Sequence, residues 1–246
     1  MCNTNGAIES KKIEFVTFIC VRKDEYMINV ILYEISQQEG YSLEKLVDSF
    51  MQMGNDDVQG IIVREYDEFF LKASYWRRKL RKEKRYNFQT QDFDIVKEEI
   101  VDISEFDMQI KERKLLIFGN KQMAQRIITL IGLLSQNSYS ITEHIIDIGS
   151  ISKKICVMPE IKLLKVKLID IIIDKEVIVD CNIDLMIQDR PEDIVLKYAD
   201  NIIQVSFKID GVDGKISIYK SGRFSATKLH EEERDELIQK IIQIVC

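Results

Sequence analysis

Between Val205 and Ala226 the chain alternates apolar and polar residues in three successive runs, each separated from the next by a turn. Val205, Phe207 and Ile209 alternate, Gly211-Val212-Asp213-Gly214 turns, Ile216 and Ile218 alternate, Ser221-Gly222 turns, and Phe224 and Ala226 alternate. Period-two apolarity in short runs punctuated by glycine predicts antiparallel strands with one buried face. Leu237, Ile238, Ile241, Ile242 and Val245 then recur at helical spacing, behind Glu231, Glu232 and Glu233, where the helix dipole favours acid. The end of the chain therefore reads as a β-β-β-α unit. The fold class this implies is α+β, with largely antiparallel sheets and amphipathic helices.

Upstream, only two prolines and ten glycines interrupt the 246 residues, which leaves little room for long linkers. Ile13 to Cys20 and Tyr26 to Tyr33 are β-branched and aromatic runs that read as a hairpin. From Ser42, an N-cap, Leu43, Leu46, Val47 and Phe50 recur as a helical stripe up to Gly54-Asn55, and a strand follows from Gly60 to Tyr66. The next stretch fits two periods. Phe69, Ala73, Trp76 and Leu80 suit a helix, while Phe70, Lys72, Ser74 and Trp76 suit one side of a strand. A strand would carry charge on both faces through Arg81, which only a solvated ribbon tolerates, so a helix from about Asp67 to Lys84 is expected.

Further on, Phe106, Met108 and Ile110 alternate, Lys111-Glu112 turns, and Leu115 to Phe118 returns as a strand. Asn120 caps a helix with the stripe Met123, Ile127, Leu130, Ile131 and Leu134. Strands are expected at Ile141 to Ile148, Ile161 to Ile173 and Glu176 to Ile187, and Pro191 opens a short helix. This divides the chain into an N-terminal α+β part, residues 1–95, and a strand-rich C-terminal part, residues 96–246.

Charge is distributed unevenly over this frame. Arg77, Arg78, Lys79, Arg81, Lys82, Lys84 and Arg85, with Glu83, give one short stretch +6 in a chain of formal charge −6, leaving −12 for the rest. Such a segment is a candidate surface for an anion. Read as a helix it places Arg77, Arg81, Lys84 and Arg85 on one stripe beside Trp76, bracketed by Tyr75, Tyr86 and Phe88. Guanidinium groups fork onto phosphates and rings stack on unpaired bases, so nucleic acid, DNA or RNA, is a chemically sensible partner. An acidic protein surface, including a neighbouring copy of the chain, satisfies the same cations. A solvated helix end needs neither.

A second surface is expected on the C-terminal sheet, whose polar side would show Ser206, Lys208, Lys215, Ser217, Tyr219, Arg223, Ser225 and Thr227. Tyr219 and Arg223 are its candidate contact residues. The turn Ile218-Tyr219-Lys220-Ser221-Gly222-Arg223-Phe224, followed by a helix, resembles a half-repeat of the TATA-binding-protein type of fold in topology and turn chemistry. An antiparallel sheet with one wet face accounts for the same pattern.

Other constellations are thinner. Gly119-Asn120-Lys121 stands between a strand and a helix, where free N–H groups hold anions, but it lacks the phosphate-loop spacing, and a tight turn explains Gly119. Asp147 with Glu160-Ile161-Lys162 resembles the two carboxylates and lysine of metal-dependent nucleases. His144 and His230 are the only histidines, and neither adjoins a nucleophile motif. The five cysteines show no C-x-x-C spacing, and Cys20, Cys156 and Cys181 sit among apolar neighbours as core residues. No leader pattern and no apolar run of ~18 residues is present, so a soluble cytoplasmic protein with reduced thiols is expected.

Together these features describe a non-catalytic binding subunit, without metal or cofactor and without a membrane, that contacts nucleic acid backbone through Trp76, Arg77, Arg78, Arg81, Lys84 and Arg85. The alternatives are a component of a homo-oligomer or larger complex, whose basic helix docks on acid, and a metal-dependent nuclease.

Overall fold

In the computed structural model, residues 26–53, 57–174, 177–229 and 234–245 are described. The run Ile13 to Cys20, His230 and Glu231 to Glu233 lie outside them. The described residues form a mixed α+β fold built on one antiparallel sheet of eleven strands. These are β1 (Tyr26–Gln37), β2 (Gln59–Tyr66), β3 (Phe70–Asn87), β4 (Asp92–Gln109), β5 (Lys114–Phe118), β6 (Tyr139–Glu143), β7 (Ile161–Asp174), β8 (Val177–Asp184), β9 (Ile202–Ile209), β10 (Ile216–Tyr219) and β11 (Arg223–Leu229). They run side by side as β2-β3-β4-β5-β1-β11-β10-β9-β7-β8, with β6 paired to the end of β1. Five helices accompany them: α1 (Leu43–Met53), α2 (Lys121–Leu134), α3 (Ile148–Cys156), α4 (Pro191–Lys197) and α5 (Arg234–Val245).

The centre of the sheet is β1, because its run is apolar on both sides. Ile31, Tyr33 and Ile35 join a core with α1 and α2, while Ile28, Val30 and Leu32 join a second core with α3 and α5. A strand buried on both faces needs a near-continuous apolar sequence rather than an alternating one. Toward the edges the apolar side chains gather on one face. Leu71, Ala73 and Tyr75 of β3 stand opposite Met108, Phe106 and Ser104 of β4, all buried. Val205, Phe207, Ile216, Ile218, Phe224 and Ala226 line the second core beside Leu237, Ile238, Ile241 and Ile242 of α5. Residue 95, the boundary the sequence suggests, lies inside β4 opposite Lys84.

The segment expected as a helix from Asp67 to Lys84 is instead β3, which pairs residue by residue with β4 from Phe70↔Gln109 to Asn87↔Asp92. Burial of Leu71, Ala73 and Tyr75 against Phe106 and Met108 decides this. A helix would turn one of those three away from the core, whereas a strand presents all of them. The charges that counted against a strand sit where the sheet has ended and both faces meet water.

A second difference falls at the strand expected from Ile141 to Ile148. The strand β6 stops at Glu143, and α3 begins at Ile148 with Asp147 as its N-cap. Ile148, Ile151, Ser152 and Ile155 form its buried face at i, i+3, i+4 and i+7. That spacing, behind a capping Asp, is the signal that would have located it. The expected cap of α2 is present: Asn120 Oδ1 accepts from the Met123 amide at 3.0 Å.

Candidate nucleic-acid interface

The sheet supports β3 and β4 only at one end. On one side β2 stops with Gln59 opposite Arg77, and the Arg78 amide donates to Val58 O at 2.7 Å. On the other side β5 reaches only Glu105. From Lys79↔Ile100 to Asn87↔Asp92, nine residue pairs have no third strand beside them among the described residues. At ~3.3 Å per residue this is a free two-stranded ribbon about 30 Å long. Its tip is a turn in which Asn87 Oδ1 accepts from the Gln89 amide at 2.9 Å, and Gln91 takes a φ of 55°. Tyr86 packs edge-on against Phe88 and Phe93 there, with ring centroids 5.2 and 5.4 Å apart.

Alternation along the ribbon sorts its residues into two unlike faces. One carries Arg77 and Asp102, Lys79 and Ile100, Arg81 and Glu98, Glu83 and Val96, and Arg85 and Asp94 as direct pairs. Its charges balance, Arg77, Lys79, Arg81 and Arg85 standing among Asp102, Glu98, Glu83 and Asp94; Lys79 Nζ lies 2.5 Å from Asp102 Oδ2, and an Arg85 nitrogen lies 3.1 Å from Glu83 and 3.5 Å from Glu98. The other carries Trp76 and Ile103, Arg78 and Val101, Leu80 and Glu99, Lys82 and Lys97, Lys84 and Ile95, and Tyr86 and Phe93. Here Arg78 reaches Glu99 at 4.0 Å, while Lys82, Lys84 and Lys97 make no ion pair among the described residues.

The second face is therefore cationic and apolar at once. Lys82 stands directly opposite Lys97, an arrangement that destabilises a strand pair. Leu80, Ile95, Val101 and Ile103 lie beside these cations, each more than half exposed. Nothing in the free ribbon covers them.

The expected site residues are divided by this geometry. Trp76, Arg78 and Lys84 share the cationic–apolar face, whereas Arg77, Arg81 and Arg85 lie on the charge-balanced one. The stripe of Arg77, Arg81, Lys84 and Arg85 survives except for Lys84, because a four-residue step keeps a side chain on one face of a strand as well as of a helix. Lys82, Lys97 and Phe93 belong with Trp76 and were not singled out in the sequence. The alternation Phe70, Lys72, Ser74, Trp76 continues into Arg78, Leu80, Lys82, Lys84 and Tyr86, and that was the signal for Lys82; Lys97 and Phe93 come to this face only through the pairing of β4 with β3.

Tyr219 and Arg223 lie elsewhere, at the end of β10 and the start of β11. Two strands, β5 and β1, stand between β11 and β4. The Arg223 guanidinium stacks 3.9 Å from the Tyr219 ring centroid. It also lines a cleft of about 250 Å³ with Gly119, Asn120, Lys121 and Glu143. There Asn120 Oδ1 is engaged as the α2 cap, and Lys121 Nζ lies 3.4 Å from Glu143. The polar side of this sheet is not wet throughout: Ser206 and Ser217 are buried and hydrogen-bonded to each other at 2.8 Å.

Asp147 is not a strand carboxylate beside Glu160. Its Oδ1 accepts from the Ser150 amide at 3.1 Å and its Oδ2 from the Ser150 hydroxyl at 2.6 Å, and these bonds hold its carboxyl below the usual range. Lys162 is paired in register with Lys208 on β9. Among the described residues no group of three or more His, Cys, Asp or Glu side chains is gathered to hold a metal. His144 follows β6, its Nδ1 2.8 Å from Glu34 Oε1. Cys156 and Cys181 are free and half-buried, and burial pushes the Cys156 thiol up. No described helix is long and apolar enough to cross a membrane.

No family model matches the chain, and no curated protein matches it in sequence.

Proposed function

We propose that this chain is a non-catalytic binding protein whose β3–β4 ribbon contacts nucleic acid backbone with its Trp76 face. The observation that carries this is the Lys82–Lys97 pair. Two cations directly opposed, with Lys84 and Arg78 on the same face and Glu99 as its one acid, make a surface whose repulsion an incoming polyanion relieves. Tyr86, Phe88 and Phe93 at the tip offer rings for stacking on bases, and the exposed aliphatic residues offer apolar contact to them. A two-stranded ribbon also fits the ~12 Å width of a duplex major groove. Tyr219 and Arg223 are a separate and secondary surface in this reading.

The test is fluorescence anisotropy with labelled single-stranded and duplex oligonucleotides over a salt series. Engagement of about four phosphates by Arg78, Lys82, Lys84 and Lys97 gives a slope of log K on log salt near −3 to −4. Absence of binding at ~50 mM salt refutes the reading. The aliphatic component of the same face favours a second reading, in which an acidic protein surface occupies it.

A further inference from the structure

The other hairpin that outruns the sheet is formed by β7 and β8. Its neighbour β9 pairs with β7 only from Ile161 to Leu168, so the distal part, from Ile169 to Asp174 and Val177 to Asp180, has no third strand. Here Ile172, Ile173, Val177 and Ile178 are exposed by 74, 67, 46 and 65%. Ile172 and Ile178 are direct partners on one face of the tip, and Ile173 and Val177 alternate onto the other, so the tip is an aliphatic patch on both faces, bare among the described residues. Asp170, Asp174 and Asp180 surround it, all exposed. From Leu168 to Asp184 the sequence carries Asp170, Asp174, Glu176, Asp180 and Asp184 against Lys175, a net −4.

This patch is the counterpart of the ribbon's Trp76 face. Both are solvated two-stranded segments with exposed aliphatic residues, one bearing Arg78, Lys82, Lys84 and Lys97, the other bearing three aspartates. Within one molecule β3 and β7 are seven strand steps apart in the sheet. Every step of the path from β2 to β8 is antiparallel, and β3 and β7 are an odd number of steps apart, so they run in opposite directions. Each leads into its own tip, and the two tips therefore project from opposite ends of the sheet.

We propose that the distal β7–β8 hairpin is the docking seat for the β3–β4 ribbon of a second copy of this chain. Opposite charges align the two segments and exclude like-with-like pairing, and the aliphatic side chains supply the area withdrawn from water. The contact joins different surfaces of the two copies. It rests on the reading of the Trp76 face as a surface for anions, but not on nucleic acid being the anion. Nucleic acid and the hairpin then compete for Lys82, Lys84 and Lys97.

The experiment is light scattering coupled to size separation on the full chain at ~50 mM salt, at concentrations up to about 100 μM. The wild type is expected to exceed the mass of one chain and to fall toward it as salt rises. The ribbon variant Lys82→Glu/Lys84→Glu/Lys97→Glu and the hairpin variant Asp174→Lys/Asp180→Lys are each expected to be monomeric, with circular dichroism like the wild type. Their mixture is expected to associate, because the two reversed surfaces complement each other and the unmutated ribbon of one variant meets the unmutated hairpin of the other. A wild type that stays monomeric over the whole range overturns the proposal, and so does a mixture that fails to associate while both variants are folded. Association of the mixture without oligonucleotide binding by the wild type leaves the docking seat standing and removes the nucleic-acid function. Oligonucleotide binding by a strictly monomeric wild type does the reverse.

Discussion

Lys79 Nζ lies 2.5 Å from Asp102 Oδ2, a diagonal contact on the face where four acids balance four cations, whereas the Trp76 face of the ribbon carries Glu99 alone against four cations. Removing cations from the two faces should therefore have unequal effects. Arg78→Ala/Lys82→Ala/Lys84→Ala is expected to weaken oligonucleotide binding at least tenfold and to flatten the salt slope by about 2 to 3, whereas Arg77→Ala/Arg81→Ala/Arg85→Ala is expected to change the slope by less than 1. Anisotropy titrations at three salt concentrations compare them. Equal losses would show that the ribbon does not present a preferred face.

Asp107 supplies a pH dependence of stability. Burial raises its carboxyl to about 6, against the lowering influence of Lys72 and Arg234, with Glu105 and Asp235 adding to the rise. The folded chain thus holds this proton more tightly than the unfolded chain. That contribution is fully present below the ordinary carboxylate range and is lost as pH rises through about 6. Asp107→Asn is expected to be more stable than the wild type at pH 7, by on the order of 2 kcal/mol, with the gap closing by pH ~4. Urea unfolding across that interval checks it.

Gly222 is held at a φ of +75° in the turn between β10 and β11, and a Cβ there would stand 2.3 Å from His144 O and 2.9 Å from Leu32 O. Both neighbours are backbone, and the Leu32 amide donates to Gly222 O at 3.0 Å. Leu32 cannot retreat without disturbing β1, nor His144 without pulling on the end of β6. Gly222→Ala is expected to cost about 3 kcal/mol or more, seen as a lowered denaturation midpoint with an unchanged m-value. A cost under ~1 kcal/mol would mean that the turn relaxes.

Asp147 should behave as a helix cap. Asp147→Ala is expected to lose about 1 kcal/mol at pH 7. Its carboxyl is held low by Ser150, so the wild type's advantage is present above the ordinary carboxylate range and is lost as pH falls through the folded value. Comparing the two proteins' denaturation midpoints at pH 7 and pH 2.5 tests the sign. A catalytic role for this residue would instead leave stability unmoved.

Much of the local structure is legible in residue patterns. Period-two apolarity in Val205, Phe207 and Ile209 and in Ile216 and Ile218 marks the sides that the structure buries. Asn120 with Met123, Ile127 and Ile131 marks both the start and the inner face of α2. Patterns fail where two periods coincide. Ala73, Trp76 and Leu80 satisfy helical spacing, and only contact of Leu71, Ala73 and Tyr75 with the distant Phe106 and Met108 selects the strand. The run after β6 fails differently: Ile145, Ile146 and Ile148 look β-like one by one, and the cap at Asp147 turns the chain into α3.

By itself the sequence determined the charge imbalance, the largely antiparallel α+β character and the isolation of the basic run. These follow from residue type and short-range periodicity, which do not depend on partners far along the chain. Only the tertiary structure decided which cations stand together. Pairing of β3 with β4 is a long-range choice enforced by burial at the sheet end of the ribbon, and it carries that register outward into water. In consequence Lys97, distant in sequence from the basic run, stands against Lys82, and Arg81 and Arg85 turn away from Trp76.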